Sequence, residues 1–185
     1  MRLTIHSDAS HQSEPGSRSR AGGVFFMGNP TFTGLDSSSS HRFQGAVATV
    51  CKKVPTVCQA SSESEYATAY LNAQTGETLR QTALDIGYPQ LEPTEIIFDN
   101  SVAGQIANNT CRLKRAKAIA MRYHWLRDRV AMGHFTMVWR PGPHNLADFL
   151  TKAHPIHHSC PLSHTSTLPA AKNKSIAITI NLPYS

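Results

Sequence analysis

The sequence predicts a mixed α/β fold. Three observations carry that reading. Short β-prone runs alternate with two long helical stretches in the order β-β-β-α-β-α-α-β-α. Strands separated by a helix need a crossover, so part of the sheet should be parallel. The chain has 185 residues, 40% of them hydrophobic and 16% charged, which is enough for one core.

The elements follow in chain order. Residues 2–8 alternate around Leu3 and Ile5 and read as a strand ending in Asp8. Residues 9–20 are polar, hold Pro15 and Gly16, and read as a loop. Residues 23–28 form a short apolar strand, and 29–42, with Asn29-Pro30, Gly34 and four serines, a long connection. Residues 45–53 give a third strand, so the first three can form an antiparallel meander. Ser62 with Glu65 has the spacing of a capping box for a helix running to about Ile86. Its apolar side is read as Tyr66, Ala69, Tyr70, Ala73, Ala83 and Leu84. Gly76 weakens its middle by about 1 kcal/mol relative to alanine. Gly87, Pro89 and Pro93 end it, and residues 95–99 form a strand that again closes on an acid, Asp99. A short helix at 101–107 precedes a longer one at 114–132, where Ile119, Tyr123, Leu126 and Val130 share a face. Residues 134–140 read as the last strand, with Phe135, Met137 and Trp139 on one side, and 145–153 as a closing helix. These elements make a domain of residues 1–153; residues 154–185 read as an irregular tail in which only 176–180 is β-prone.

Composition excludes several classes. No apolar run approaches the ~18–20 residues that cross a bilayer, and the first six residues are too few and too polar for a signal peptide. An intracellular protein without a membrane partner is expected. Cys51, Cys58, Cys111 and Cys160 lack CxxC spacing and do not make a disulfide scaffold; Cys51 and Cys58 read as small buried hydrophobes. The net charge is +6, and it is unevenly placed. Residues 1–99 carry seven basic and ten acidic groups, whereas residues 100–152 carry nine basic groups against Asp128 and Asp148. A basic block beside an acidic half suits a polyanionic partner.

Asp8, Asp99 and Asp148 stand at predicted strand ends or helix starts, and Glu65 lies near the start of the long helix. Strand ends and helix starts on one side of an α/β sheet converge on one crevice. Converging carboxylates repel unless a cation lies among them, and an all-oxygen site selects Mg²⁺ or Mn²⁺. Singly, each acid is better explained by a turn, a cap or a solvated surface; together, with the strand order and the basic block, they favour the metal site.

Five runs then acquire a common meaning. Ser7-Asp8-Ala9-Ser10, the run from Ala60 to Tyr66, the run from Phe98 to Ala103, the run from Met121 to Arg127 and the run from Asn145 to Lys152 resemble, in this order, the ribonuclease H domain of copia-type LTR retrotransposon Pol polyproteins. The resemblance spans roughly residues 6–155. It implies a ribonuclease H-like fold, with a five-stranded mixed sheet and helices on its faces. It implies a site of Asp8, Glu65, Asp99 and Asp148 holding two Mg²⁺ ions, or Mn²⁺ in their place. Asp8 would bridge the ions, Asp148 would complete one site, and Glu65 with Asp99 would serve the other. The implied activity is endonucleolytic cleavage of the RNA strand of an RNA–DNA hybrid during reverse transcription. The implied partners are the reverse transcriptase and integrase of the same polyprotein, and the implied location is the cytoplasm or a virus-like particle. The alternative is a decayed or repurposed module of the same fold that binds nucleic acid without cutting.

Glu63 competes with Glu65 for the glutamate role; the two are about 200° apart on a helix, so one alone can face the site. Glu65 fits the family pattern. Where many members carry Lys-His-Ile-Asp, this chain has Lys117-Ala118-Ile119-Ala120. His144, four residues before Asp148, is a candidate proton shuttle, with a turn residue as the simpler account. Arg112, Lys114, Arg115, Lys117, Arg122, Arg127, Arg129 and Arg140 form the basic block, read as a hybrid-binding face. His154, His157, His158, Cys160 and His164 match no closed zinc finger.

Overall fold

The computed structural model describes residues 1–28, 45–100, 117–142 and 145–152, with residues 117–123 described by backbone alone. The connection at 29–42, the helix expected at 101–107, the first residues of the next helix and the tail at 154–185 lie outside the described residues.

Five strands form one mixed sheet in the order β3-β2-β1-β4-β5. They are β1 (Arg2–Glu14), β2 (Arg18–Gly28), β3 (Ala46–Lys53), β4 (Thr94–Phe98) and β5 (Phe135–Trp139). The meander β1-β2-β3 is antiparallel, as expected, whereas β4 pairs parallel to β1 and β5 parallel to β4. Three helices complete the described chain: α1 (Ser61–Asp85), α2 (Lys117–Ala131) and α3 (Asp148–Thr151). None of the described helices is long and apolar enough to cross a membrane.

The sheet separates two layers. Odd-numbered residues of β1 face the larger one, where Leu3, Ile5, Phe25, Ile96, Phe98, Phe135 and Met137 pack against Tyr66, Ala69 and Ala73 of α1 and Leu126 of α2. Ser7 shares that side, bonded to Asn72 of α1. Even-numbered residues face the other, where Val24 and Phe26 pack against Ala147, Leu146 and Leu150 around α3. A third cluster joins Ala21, Val54 and Cys58 to Ala67 and Leu71 of α1.

Two adjacent glycines let both layers approach. A Cβ on Gly23 would overlap the amide of Asn72 on α1, and one on Gly22 would lie 2.7 Å from Thr151 Cγ2 and 2.9 Å from the Ala147 carbonyl oxygen. Successive strand residues point to opposite faces, so the pair opens one side to each helix.

Several expectations are corrected. Residues 9–14 and 18–20 are strand, not loop: Ser10 pairs with Arg20 and Glu14 with Arg18 across a turn at 15–17. Gly16 takes φ 78° in that turn. The hairpin's residues are almost all polar, so no apolar alternation betrays it. The capping box does not form. Ser62 lies inside α1, Ala60 is the N-cap without a side-chain bond, and Glu63 Oε2 accepts the Gln59 N–H at 2.7 Å. Leu84 is 52% exposed beside the buried Ala83, so it lies off the covered side of α1, and Leu71 is a core residue. Trp139 is 53% exposed; it stands at the end of β5, and its indole N–H donates to the Asp99 carbonyl oxygen at 2.8 Å. Cys58 is buried, but Cys51 lies exposed on the edge strand β3.

Candidate metal centre

Sheet register builds the site. On β1 and β4, Thr4, Ile5 and His6 pair in parallel with Glu95, Ile96 and Ile97. Continued by two residues, that register sets Asp8 beside Asp99. Asp8 is therefore not at a strand end, as its sequence suggested; it lies inside β1, directly opposite Gly22 of β2, and is 3% exposed. Asp99 directly follows β4 and is half-buried. Gly142 passes so close that a Cβ there would lie 3.2 Å from Asp99 Oδ2. Glu65 reaches in from the second turn of α1, and its Oε1 accepts the Ala9 N–H at 3.1 Å. Asp8, Glu65 and Asp99 thus bring carboxylate oxygens within 4.8 Å of one another. Glu63 does not compete, since its carboxylate serves the start of α1.

Asp148 is the first residue of α3 and stands at the rim. Its carboxylate pairs with Lys152 Nζ one turn later, and its charge is felt at Asp8. The segment before α3 is tied to β1 by side chains. Asn145 Nδ2 donates to the Ser7 carbonyl oxygen at 2.8 Å, Asn145 Oδ1 accepts the Ala147 N–H at 3.2 Å, and the Leu146 N–H donates to His6 Nδ1 at 3.2 Å. Burial lowers the His6 pKa from 6.5 to about 4, so at neutral pH this imidazole is uncharged and its Nδ1 accepts. From α3 the Thr151 hydroxyl donates to Asp8 Oδ2. Behind Asp8, Asn72 Nδ2 donates to Ser7 Oγ at 2.9 Å and to the Gly22 carbonyl oxygen at 3.0 Å.

The electrostatics fit a cation. Burial, then the charges of Asp8 and Asp99, push the Glu65 carboxyl up to about 9. Burial raises Asp8 to about 6, with the Thr151 hydrogen bond opposing the rise and Asp148 and Asp99 adding to it. Without a counter-charge these carboxyls retain protons where free carboxyls would not. Glu65 Oε2 is buried with no hydrogen-bond partner among the described residues. An orphaned, all-oxygen donor set of this kind suits a hard divalent ion such as Mg²⁺ or Mn²⁺.

The basic residues are only partly placed. Arg112, Lys114 and Arg115 lie outside the described residues, as does His144. Lys117 and Arg122 are on α2, described by backbone alone. Arg127, Arg129 and Arg140 are half-buried. The Arg129 guanidinium stacks 5.4 Å over the Trp125 ring, so this arginine is packed as well as charged.

Sequence reasoning missed Asn72, Thr151 and the pairing of Lys152. Thr151 and Lys152 fall inside a quoted run, but only the acid in that run carries an obvious chemical signal. Asn72 is a polar residue among alanines on a buried helix side, and only the facing Gly22-Gly23 pair hinted at close approach.

No family model matches the chain. Its fold is similar to solved ribonuclease H structures. LC11-RNase H1, isolated from compost by a metagenomic approach and solved in complex with an RNA/DNA hybrid, has TM-score 0.54 and 12% identity, covering 80% of this chain and 93% of that one. The N-terminal RNase H domain of a Mycobacterium tuberculosis protein, solved as a fusion with maltose-binding protein, has TM-score 0.51 and 15% identity, covering 81% and 90%. RNase H1 from the halophilic archaeon Halobacterium salinarum has TM-score 0.51 and 16% identity, covering 81% and 94%. The fold is ribonuclease H-like.

Proposed function

We propose that the chain is a metal-dependent endonuclease that hydrolyses the RNA strand of RNA–DNA hybrids, acting in the reverse transcription of a copia-type LTR retrotransposon. The observation that carries this reading is the Asp8–Glu65–Asp99 cluster, two of its acids buried and Asp99 half-buried, on a ribonuclease H-like sheet. Those three acids would hold a divalent ion, with Asp148 at the rim available to a second. Two such ions, when bound, activate water and stabilise the leaving oxygen of a phosphodiester. The chain's own part is positioning. The Ala9 N–H orients Glu65, the Trp139 indole fixes the backbone at Asp99, and Asn145 anchors the segment that presents Asp148. Arg127, Arg129 and Arg140, with the rest of the basic block, would neutralise phosphates of an A-like duplex. A protein of similar fold solved with an RNA/DNA hybrid supports the substrate class. The five sequence runs support the retrotransposon setting, in which reverse transcriptase and integrase are the partners.

A specific feature favours a second reading, a decayed or repurposed module that binds without cutting: Asp148 is already paired with Lys152. One experiment separates the two. A labelled hybrid is incubated in Mg²⁺ and in EDTA with the wild type and with Asp99→Asn, and gel-shift affinity is measured beside cleavage. The expected result is Mg²⁺-dependent cleavage that falls ~10²-fold or more in the variant, with hybrid binding retained. Equal cleavage by both proteins would remove the assignment of the site. Binding without cleavage by the wild type, in Mg²⁺ and in Mn²⁺, would establish the second reading.

A further inference from the structure

We infer that Thr151 is a positioning residue for the metal centre: its hydroxyl fixes the Asp8 carboxylate, and Gly22 is the residue that allows it to do so. The inference rests on the reading of Asp8 as a metal ligand and goes beyond it by assigning a residue outside the acidic set.

The geometry is a three-residue stack. Asp8 and Gly22 face each other across the β1–β2 ladder, so their side-chain positions lie on the same side of the sheet. Because Gly22 has no side chain, α3 settles onto β2 with Thr151 Cγ2 2.7 Å from where a Cβ would be. That depth brings the Thr151 hydroxyl to Asp8 Oδ2. Thr151 is 6% exposed and Asp8 3%, so water does not offer an equivalent donor. The hydroxyl also lies 3.2 Å from the Asp148 carbonyl oxygen, the usual acceptor for a threonine inside a helix. It has one proton, and a carboxylate is a stronger acceptor than a carbonyl. The proton therefore belongs to Asp8. With Oδ2 engaged, the carboxylate is held in one rotamer, and Oδ1 is the less encumbered oxygen for a cation. The same short helix carries Asp148, so one contact sets the spacing of two acids that come from opposite ends of the sequence.

Partners of this kind that orient a metal-binding side chain typically change metal affinity 10–100-fold when removed. The test compares Thr151→Val, which keeps the shape and deletes the donor, with Thr151→Ser, which keeps the donor. Mn²⁺ affinity is read by titration calorimetry on the whole chain, with the metal-free thermal midpoint as the control for folding. Thr151→Val is expected to bind Mn²⁺ about tenfold or more weakly, and Thr151→Ser within about threefold of the wild type. Gly22→Ala retains the hydroxyl but lifts α3, and is expected to lose affinity as Thr151→Val does. It also supplies the comparison if the valine variant fails to fold. Wild-type affinity in Thr151→Val, or equal losses in the valine and serine variants, would overturn the role of Thr151 while leaving the metal centre standing. No Mn²⁺ binding by the wild type would overturn the metal centre and this inference together.

Discussion

Three consecutive residues of β1 do three different jobs. His6 is buried, uncharged at neutral pH and an acceptor for the segment before α3; Ser7 is bonded on both its side chain and its carbonyl; Asp8 is a carboxylate of the cluster. Strand alternation makes this division, since His6 and Asp8 face α3 while Ser7 faces α1. Asn72 locks the Ser7 side of the strand. Asn72→Leu keeps the branched skeleton, with bulkier methyls in place of the amide, and removes the donor to Ser7 Oγ and to the Gly22 carbonyl oxygen. Buried acceptors left without a donor cost ~1–3 kcal/mol, so the thermal midpoint should fall by about 3–10 °C in a scanning calorimeter. An unchanged midpoint would show that Asn72 is a filler, not a lock. The convergence of Asp8, Glu65 and Asp99 was legible in the sequence because several carboxylates together have few cheap explanations, although Asp8 lies inside β1 and not at its end. Asn72 was not, because a single asparagine in a helix reads as a solvated residue until its neighbours in space are known.

Element boundaries were legible wherever burial imposes a period. The apolar runs of β2, β4 and β5 and the Leu126–Val130 side of α2 follow from spacing, and β3, β4 and β5 fall within about a residue of the sequence reading. The hairpin at 9–20 failed that test because its buried positions are polar or small, Ser19 among them, and leave no apolar alternation to read. The start of α1 failed for another reason: serines at 61, 62 and 64 offer several equivalent caps, and Glu65 is drawn away to the Ala9 N–H. Gly76 shows the same limit from the opposite side. By propensity it is a defect in α1, yet a Cβ there would lie 2.6 Å from Ile5 Cδ1 and 3.2 Å from Phe135 Cε1. The glycine lets the helix sit close on the sheet. Gly76→Ala gains about 1 kcal/mol of helix propensity but must displace the end of Ile5 and shift the Phe135 ring slightly, so its stability should stay within ~1 kcal/mol of the wild type. Gly76→Leu has no such exit and should lose ~2 kcal/mol or more in urea unfolding, with an unchanged m-value. A stabilised leucine variant would mean that the helix–sheet contact at this point is loose.

Across the whole molecule, the ionisable groups of the site are expected to tie stability to pH and, under the proposed function, to a bound cation. In EDTA, Glu65 is raised from 4.5 to about 9 and Asp8 from 3.8 to about 6, so the folded state holds protons that the unfolded chain has released. Stability falls with rising pH wherever the folded state binds more protons. His6 works in the other direction. Its pKa is lowered from 6.5 to about 4, so between those values the unfolded chain takes the extra proton and stability rises with pH. The opposing slopes offset each other in part below pH 6.5. Above it His6 and Asp8 are spent, and the slope of Glu65 remains until about pH 9. The thermal midpoint in EDTA should therefore decline between pH 6.5 and pH 9, and Glu65→Gln should remove the decline. Mg²⁺ should reverse it, since the ion binds the ionised carboxylates of the folded state and not the unfolded chain. At ~100 times its dissociation constant the ion would add about 2.7 kcal/mol, or ~5–10 °C. That increment should grow from pH 6 to pH 8.5, as protons leave the carboxyls that the ion needs. A midpoint in EDTA that holds steady or rises over the same interval, or a Mg²⁺ increment that shrinks with pH, would show that Glu65 is not the buried, charge-crowded carboxyl from which the metal centre is built.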